Sequence, residues 1–131
     1  MILDTSLLID ADREKVRVAS FLESFGDEEV SIAAITASEL LHGCYRAKDA
    51  GIRARRFAFV EAMLELVPIA AFGLAEARRH AELWAELARR GKMIGPHDLL
   101  IAATALGRGE RLATLNAAEF KQVPGLQLIR A

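Results

Sequence analysis

The chain has 131 residues, 53% of them apolar and 27% charged, with a formal net charge of −1. That length suits one domain over 1–131 that buries about two-thirds of its unfolded surface, and the composition excludes a disordered protein. No apolar stretch reaches the roughly 18 residues of a membrane helix, no basic region precedes the apolar start as in a signal peptide, and the single Cys44 excludes an internal disulfide. Together these predict a soluble protein of the reducing cytoplasm with no membrane partner.

Residues 1–4 form a short buried strand candidate that ends on Asp4. Asp12 can cap a helix whose apolar positions Val18, Phe21, Leu22 and Phe25 follow helical spacing and which Gly26 stops. Residues 30–35 are a second strand candidate, followed by a helix over 36–49 that stops near Gly51. Another helix over 53–66 carries Phe57, Val60, Met63 and Leu64 on one face. Residues 67–69 make a short strand candidate in which Pro68 suits an edge or an end. Residues 74–90 are amphipathic through Leu74, Ala77, Ala81, Trp84 and Leu87, which puts Trp84 and the phenylalanines in the core, and Gly91 ends that helix. Pro96 opens a helix over 98–106 that is apolar nearly all round and should be heavily buried. Residues 112–115 and 126–129 are the last strand candidates.

Strands separated by helices predict an α/β domain with a mainly parallel sheet. Ligands of such sheets bind beyond the carboxyl ends of the strands. Asp4, the segment from Thr36 to Glu39, and Asn116 all fall there, while Asp98 heads the apolar helix. Each acid has a structural explanation of its own. Asp4 could close a turn, Thr36 and Glu39 match a capping box, and Asp98 suits the positive end of a helix dipole. As a set they predict more. Carboxylates converging on one point repel each other unless a divalent cation neutralises them, so the pattern points to metal-assisted phosphodiester hydrolysis. His42, His80 and His97 are scattered without zinc spacing, and no Gly-rich phosphate loop is present. His97 next to Asp98 is expected to be structural or solvent-facing. The arginine groups at 53, 55 and 56, at 78–79 and at 89–90 fit either solvated helix faces or a nucleic-acid footprint.

With these residues in place, the chain resembles the PIN-domain ribonucleases, specifically the VapC-like toxins of type II toxin–antitoxin pairs. The likeness is carried by Ile2-Leu3-Asp4-Thr5-Ser6-Leu7-Leu8, Ile35-Thr36-Ala37-Ser38-Glu39-Leu40, Gly95-Pro96-His97-Asp98-Leu99-Leu100-Ile101-Ala102-Ala103 and Ala113-Thr114-Leu115-Asn116-Ala117-Ala118-Glu119-Phe120. An Asp-Thr-Ser motif alone is weak, but four motifs in series are highly specific. The resemblance implies a three-layer α/β/α sandwich and a Mg2+- or Mn2+-dependent endoribonuclease. It also implies a homodimer, and an antitoxin protein that covers or invades the acidic cleft. Asp4, Glu39 and Asp98 match the family's metal-holding acids. Thr5 or Ser6, and Thr114, match hydroxyl positions around them.

One departure stands at Asn116, where many members of the family have Asp. Its amide can still join the site but adds no charge for a second ion, so single-metal occupancy is expected; Glu119 could compensate, or could pair with Asn116 as a helix cap. Two other readings remain. One is a non-catalytic PIN-fold module that binds nucleic acid or protein. The other is a phosphohydrolase with Asp4 as nucleophile, against which Ser6 stands where a second Asp would be needed.

Overall fold

The computed structural model describes residues 1–130; residue 131 of the expected domain lies outside the described residues. Its elements run β1 (Ile2–Leu3), α1 (Thr5–Arg13), α2 (Val18–Glu23), β2 (Ile32–Ala33), α3 (Ala34–Arg46), α4 (Ala50–Leu66), β3 (Ile69–Ala70), α5 (Leu74–Arg90), α6 (Pro96–Arg108), β4 (Leu112–Thr114), α7 (Ala117–Phe120) and β5 (Leu128–Arg130). β1 pairs with β4, and β4 with β5, all in parallel. β2 pairs in parallel with β3, and the bridge between Ile2 and Ser31 joins the two ladders. The resulting order is β3-β2-β1-β4-β5. Because the chain moves outward from β1 in both directions, the crevice beside the end of β1 is where such a sheet takes a ligand.

The side chains divide the molecule into layers. Along each strand successive residues point to opposite faces. Ile2, Ala33 and Leu112 face a core with α5, α6 and α7 through Leu83, Leu87, Ile101, Ala105 and Phe120. Leu3, Ile32 and Ala113 face the other core, built by α1 to α4 through Leu8, Phe21, Leu40, Val60 and Met63. Both faces are therefore covered, which is the expected α/β/α sandwich.

Several boundaries differ from the sequence reading. No helix starts at Asp12, which lies inside α1. Helix α1 begins immediately after Asp4, and its buried Leu7, Leu8 and Ala11 supply the packing that makes a helix there. Asp49 accepts a bond from Ile52 N at 2.9 Å and so starts α4 at Ala50, ahead of the expected position. The four-residue α7 follows the strand candidate over 112–115, with Asn116 at its N-cap, the position that the helix-cap reading of Asn116 and Glu119 gave it. Gly91, at φ +66°, ends α5 as expected.

The expectation that Trp84 is a core residue is corrected: it is 56% exposed, as is Leu74 at 68%. Of the expected stripe α5 buries Leu87, and beside it Leu83, which the sequence reading had not marked. Those two sit one turn apart, whereas Trp84 is rotated about 100° from Leu83 around the helix. Two apolar stripes with the same period exist on α5, and only the packing against α6 decides which one goes inward.

Candidate active site

Asp4 emerges from the carboxyl end of β1 at the N-cap position of α1, with extended backbone and no capping bond of its own. It is 3% exposed. Its carboxylate is held from another direction. Ser6 Oγ donates to Asp4 Oδ2 at 2.6 Å, and Thr114 Oγ1, at the end of neighbouring β4, donates to the same oxygen at 2.7 Å. Both hydroxyls have their direction fixed from behind, because backbone amides only donate. Leu115 N donates to Ser6 Oγ at 3.2 Å and Asn116 N to Thr114 Oγ1 at 2.8 Å. One carboxylate oxygen of Asp4 is thus fully committed, leaving Oδ1 for the cleft.

Glu39 comes from α3, which starts at Ala34. Thr36 and Glu39 are therefore interior to the helix, and the capping box expected of them does not form. Glu39 instead accepts from Thr5 Oγ1 at 2.7 Å through Oε1. Its Oε2 lies 3.3 Å from His97 Nδ1, so His97, solvent-facing as the sequence allowed, also touches the acidic cluster from outside. Asp98 sits in the first turn of α6 behind Gly95 and Pro96. A helix dipole favours a negative charge there by about 0.3–1 kcal/mol. That is outweighed: burial, then a hydrogen bond to Glu119 and the nearby charges of Glu119, Asp4 and Glu39, raise the Asp98 carboxyl to about 7.

Glu119 is the fourth acid of the cluster. Gly95 N donates to its Oε1 at 2.9 Å and Asn116 Nδ2 to its Oε2 at 3.0 Å. These bonds, the Gly95 amide foremost and the Asp98 hydrogen bond next, hold the Glu119 carboxyl below its ordinary value. The two carboxyls are thus driven apart, Asp98 upward and Glu119 downward. Asn116 is exposed at the N-cap of α7 and meets the cluster through Glu119. The sequence signal for Glu119 was its spacing of three from Asn116; its bond to Gly95 spans the fold and leaves no trace in spacing.

Among the described residues no group of three or more Asp, Glu, His or Cys side chains stands in a metal-holding arrangement. The donors nevertheless suit a hard divalent cation. All four are carboxylates, burial and then the neighbouring acids push the Asp98 carboxyl up, and Mg2+ typically binds through one or two carboxylates while keeping several waters. Asp4, Glu39 and Asp98 are the residues that would hold it, with Glu119 beside them.

A groove of about 480 Å³ runs from Glu39 between α1, α3 and α4. Ile9, Leu40, Ile52, Phe59 and Val60 give it an apolar floor, with Arg13, Lys15, Arg55 and Arg56 around it. Of the basic groups seen in sequence, Arg53 is a staple whose guanidinium donates twice to Ala47 O. Arg79, Arg89 and Arg90 pair with Glu82 and Glu86 on the surface of α5. Only Arg55 and Arg56 among them face the groove.

Comparison with known proteins gives a consistent result. The PIN domain family model matches residues 1–126. Ribonuclease VapC1 of Rickettsia felis is 36% identical over 129 residues, spanning 98% of this chain and 94% of that protein. The tRNA(fMet)-specific endonuclease VapC of Shigella flexneri is 32% identical over 127 residues, spanning 95% and 92%. The crystal structure of VapBC-5, a member of the VapBC family of toxin–antitoxin systems from Mycobacterium tuberculosis, superposes with a TM-score of 0.78 at 28% identity, covering 99% of this chain and 97% of that one.

Proposed function

The chain belongs to the PIN-domain family, and we propose that it is the ribonuclease toxin of a type II toxin–antitoxin pair, cutting RNA internally with the help of Mg2+ or Mn2+. The observation that carries this reading is the convergence of Asp4, Glu39, Asp98 and Glu119 at the carboxyl edge of the sheet, in a chain whose relatives bear the name ribonuclease. A cation held by Asp4, Glu39 and Asp98 would supply positive charge to the phosphoryl oxygens and lower the pKa of a water.

The chain's own residues supply the geometry. Ser6 and Thr114 fix Asp4, and Thr5 fixes Glu39, so that neither carboxylate must be ordered when substrate arrives. Positive charge in the cleft would favour the ionised form of Asp98, which burial first, and then the Glu119 hydrogen bond and the neighbouring charges, disfavour. Asn116 keeps Glu119 turned toward Asp98 and contributes through that contact. Water, and not the ribose 2′-hydroxyl, is the nucleophile, so the products are a 5′-phosphate and a 3′-hydroxyl.

The antitoxin partner fits the groove that ends at Glu39, whose apolar floor and basic rim suit an acidic, amphipathic segment. The homodimer has a face available on the other side of the molecule, where Phe72, Leu74, Trp84 and Met93 are exposed and His80 packs between the rings of Phe72 and Trp84. No described helix is long and apolar enough to cross a membrane, and a buried free Cys44 fits a reducing cytoplasm.

The test compares the purified chain, freed of partner, with Asp98→Asn on total RNA and on initiator tRNA, the RNA named for a relative. Metal-dependent fragments with 5′-phosphate ends that vanish in the variant are expected. Cyclic-phosphate ends, or cleavage that survives a chelator, would overturn the mechanism. Metal binding without any cleavage would support the non-catalytic module, and a monomer by sedimentation would remove the homodimer.

A further inference from the structure

We infer that Thr36 is a positioning residue for Glu39, acting through a two-hydroxyl relay that runs from α3 through α1 into the acidic cleft; this rests on the reading of the cluster as a cation site. Thr36 is fully buried at 0% exposure, one helical turn before Glu39. The oxygen of Thr5 stands 2.9 Å from Thr36 Oγ1 and 2.7 Å from Glu39 Oε1. A hydroxyl has one proton to give, and an ionised carboxylate has none. Thr5 therefore donates to Glu39, and the proton in the contact between the two threonines comes from Thr36. A hydroxyl that accepts a hydrogen bond becomes a stronger donor, so Thr36 tightens the hold of Thr5 on Glu39.

Burial makes that arrangement informative. Valine has nearly the shape of threonine and carries no polar atom to desolvate, so an apolar position alone does not account for a hydroxyl there. The other hold on Glu39 is His97, at 3.3 Å and 56% exposed, which solvent competes for. The relay from within is the fixed anchor. It spares a long, flexible carboxylate the entropy of ordering when a cation binds.

The test is a Mn2+ titration of the metal-free protein, followed by electron paramagnetic resonance, for the unsubstituted chain, Thr36→Val and Thr36→Ser. Thr36→Val should weaken Mn2+ affinity roughly three- to tenfold, the size of one lost hydrogen bond, while Thr36→Ser stays within about twofold. The RNA cleavage lost by Thr36→Val should return at raised Mn2+ with an unchanged maximal rate. Unaltered Mn2+ affinity in Thr36→Val, whatever its Tm, overturns the relay. So does a Thr36→Ser variant as weak as Thr36→Val, since the methyl group and not the hydroxyl would then matter. If Thr36→Val does not fold, Thr5→Val reads the same relay from its other end and must lose at least as much. Failure of the unsubstituted chain to bind Mn2+ would remove the cation reading itself and the relay with it.

Discussion

The two ends of the central sheet handle charge in opposite ways. At the amino edge the acids Glu110 and Glu28 are paired with cations. The Met1 ammonium lies 2.7 Å from Glu110, Arg108 reaches the other oxygen of Glu110 at 2.6 Å, and Arg111 pairs with Glu28. Burial opposes ionisation of Glu110, but the bonds from the ammonium and Arg108 outweigh it and hold that carboxyl below its ordinary value. At the carboxyl edge Asp4, Glu39, Asp98 and Glu119 are held by hydroxyls, amides and an imidazole, and one of them keeps a proton near neutrality. The difference separates charge that stabilises the fold from charge that is organised for something absent from the chain. A buried or half-buried acid without a cation costs stability, and keeping four such acids together supports the proposed cation.

That contrast can be broken most sharply at Asp4. Asp4→Asn should keep the fold by circular dichroism and lose at least about 100-fold in metal-dependent RNA cleavage, more than the loss of an outer partner causes. A variant with near-normal cleavage would show that the carboxyl edge needs no such charge.

Stability against pH should then differ in sign between the two ends. Asp98 ionises at 3.8 in an unfolded chain but at about 7 in the fold. Its carboxyl therefore costs nothing below the lower value, and the metal-free protein loses stability as pH rises from there through about 7. Asp98→Asn, which can still donate to Glu119, should raise the Tm of the metal-free chain at pH 8 by about 2–5 °C, fading to no difference in acid. Added Mg2+ should close that gap. Glu110 works the other way. Its lowered pKa gives stability that is present above the ordinary 4.5 and lost as pH falls through the folded value. Glu110→Gln should lower Tm at pH 7 by a smaller amount, about 1–3 °C after solvent screening, and leave cleavage unchanged. Thermal scans at both pH values measure the pair, and shifts of the same sign would dissolve the comparison. The smallest effect is expected from Asn116→Ala, which frees one oxygen of Glu119; cleavage on a fixed RNA should fall by less than about tenfold.

Much of this was legible in the residues, and the exceptions have physical causes. Five of the helices, α2 to α6, were marked by apolar spacing, Gly26, Gly51, Gly91 or Pro96, which act through neighbours a few positions away. Helix α1 was missed because its signal, Leu7, Leu8 and Ala11, is short and becomes meaningful only with a sheet to pack on. Trp84 was misplaced because α5 carries two stripes of one period. The capping box at Thr36 and Glu39 was a sound local pattern, defeated when β2 ran directly into α3 and took both residues inside the helix.

By itself the sequence determined the α/β class, the order of the strands and of helices α2 to α6, and the identity of Asp4, Glu39 and Asp98 as acids set where strands give way to helices. Those are consequences of local spacing, which is written along the chain. What each acid does was decided only by the tertiary structure. The same Asp98 that a helix start would keep ionised is pushed up to about 7 by burial first, and then by Glu119, Asp4 and Glu39 arriving from other elements. The bond from Gly95 to Glu119 crosses 24 positions, that from Thr5 to Glu39 crosses 34, and that from Thr114 to Asp4 crosses 110. Electrostatic repulsion and hydrogen bonding depend on distance in space, and the parallel crossovers of the sheet set those distances.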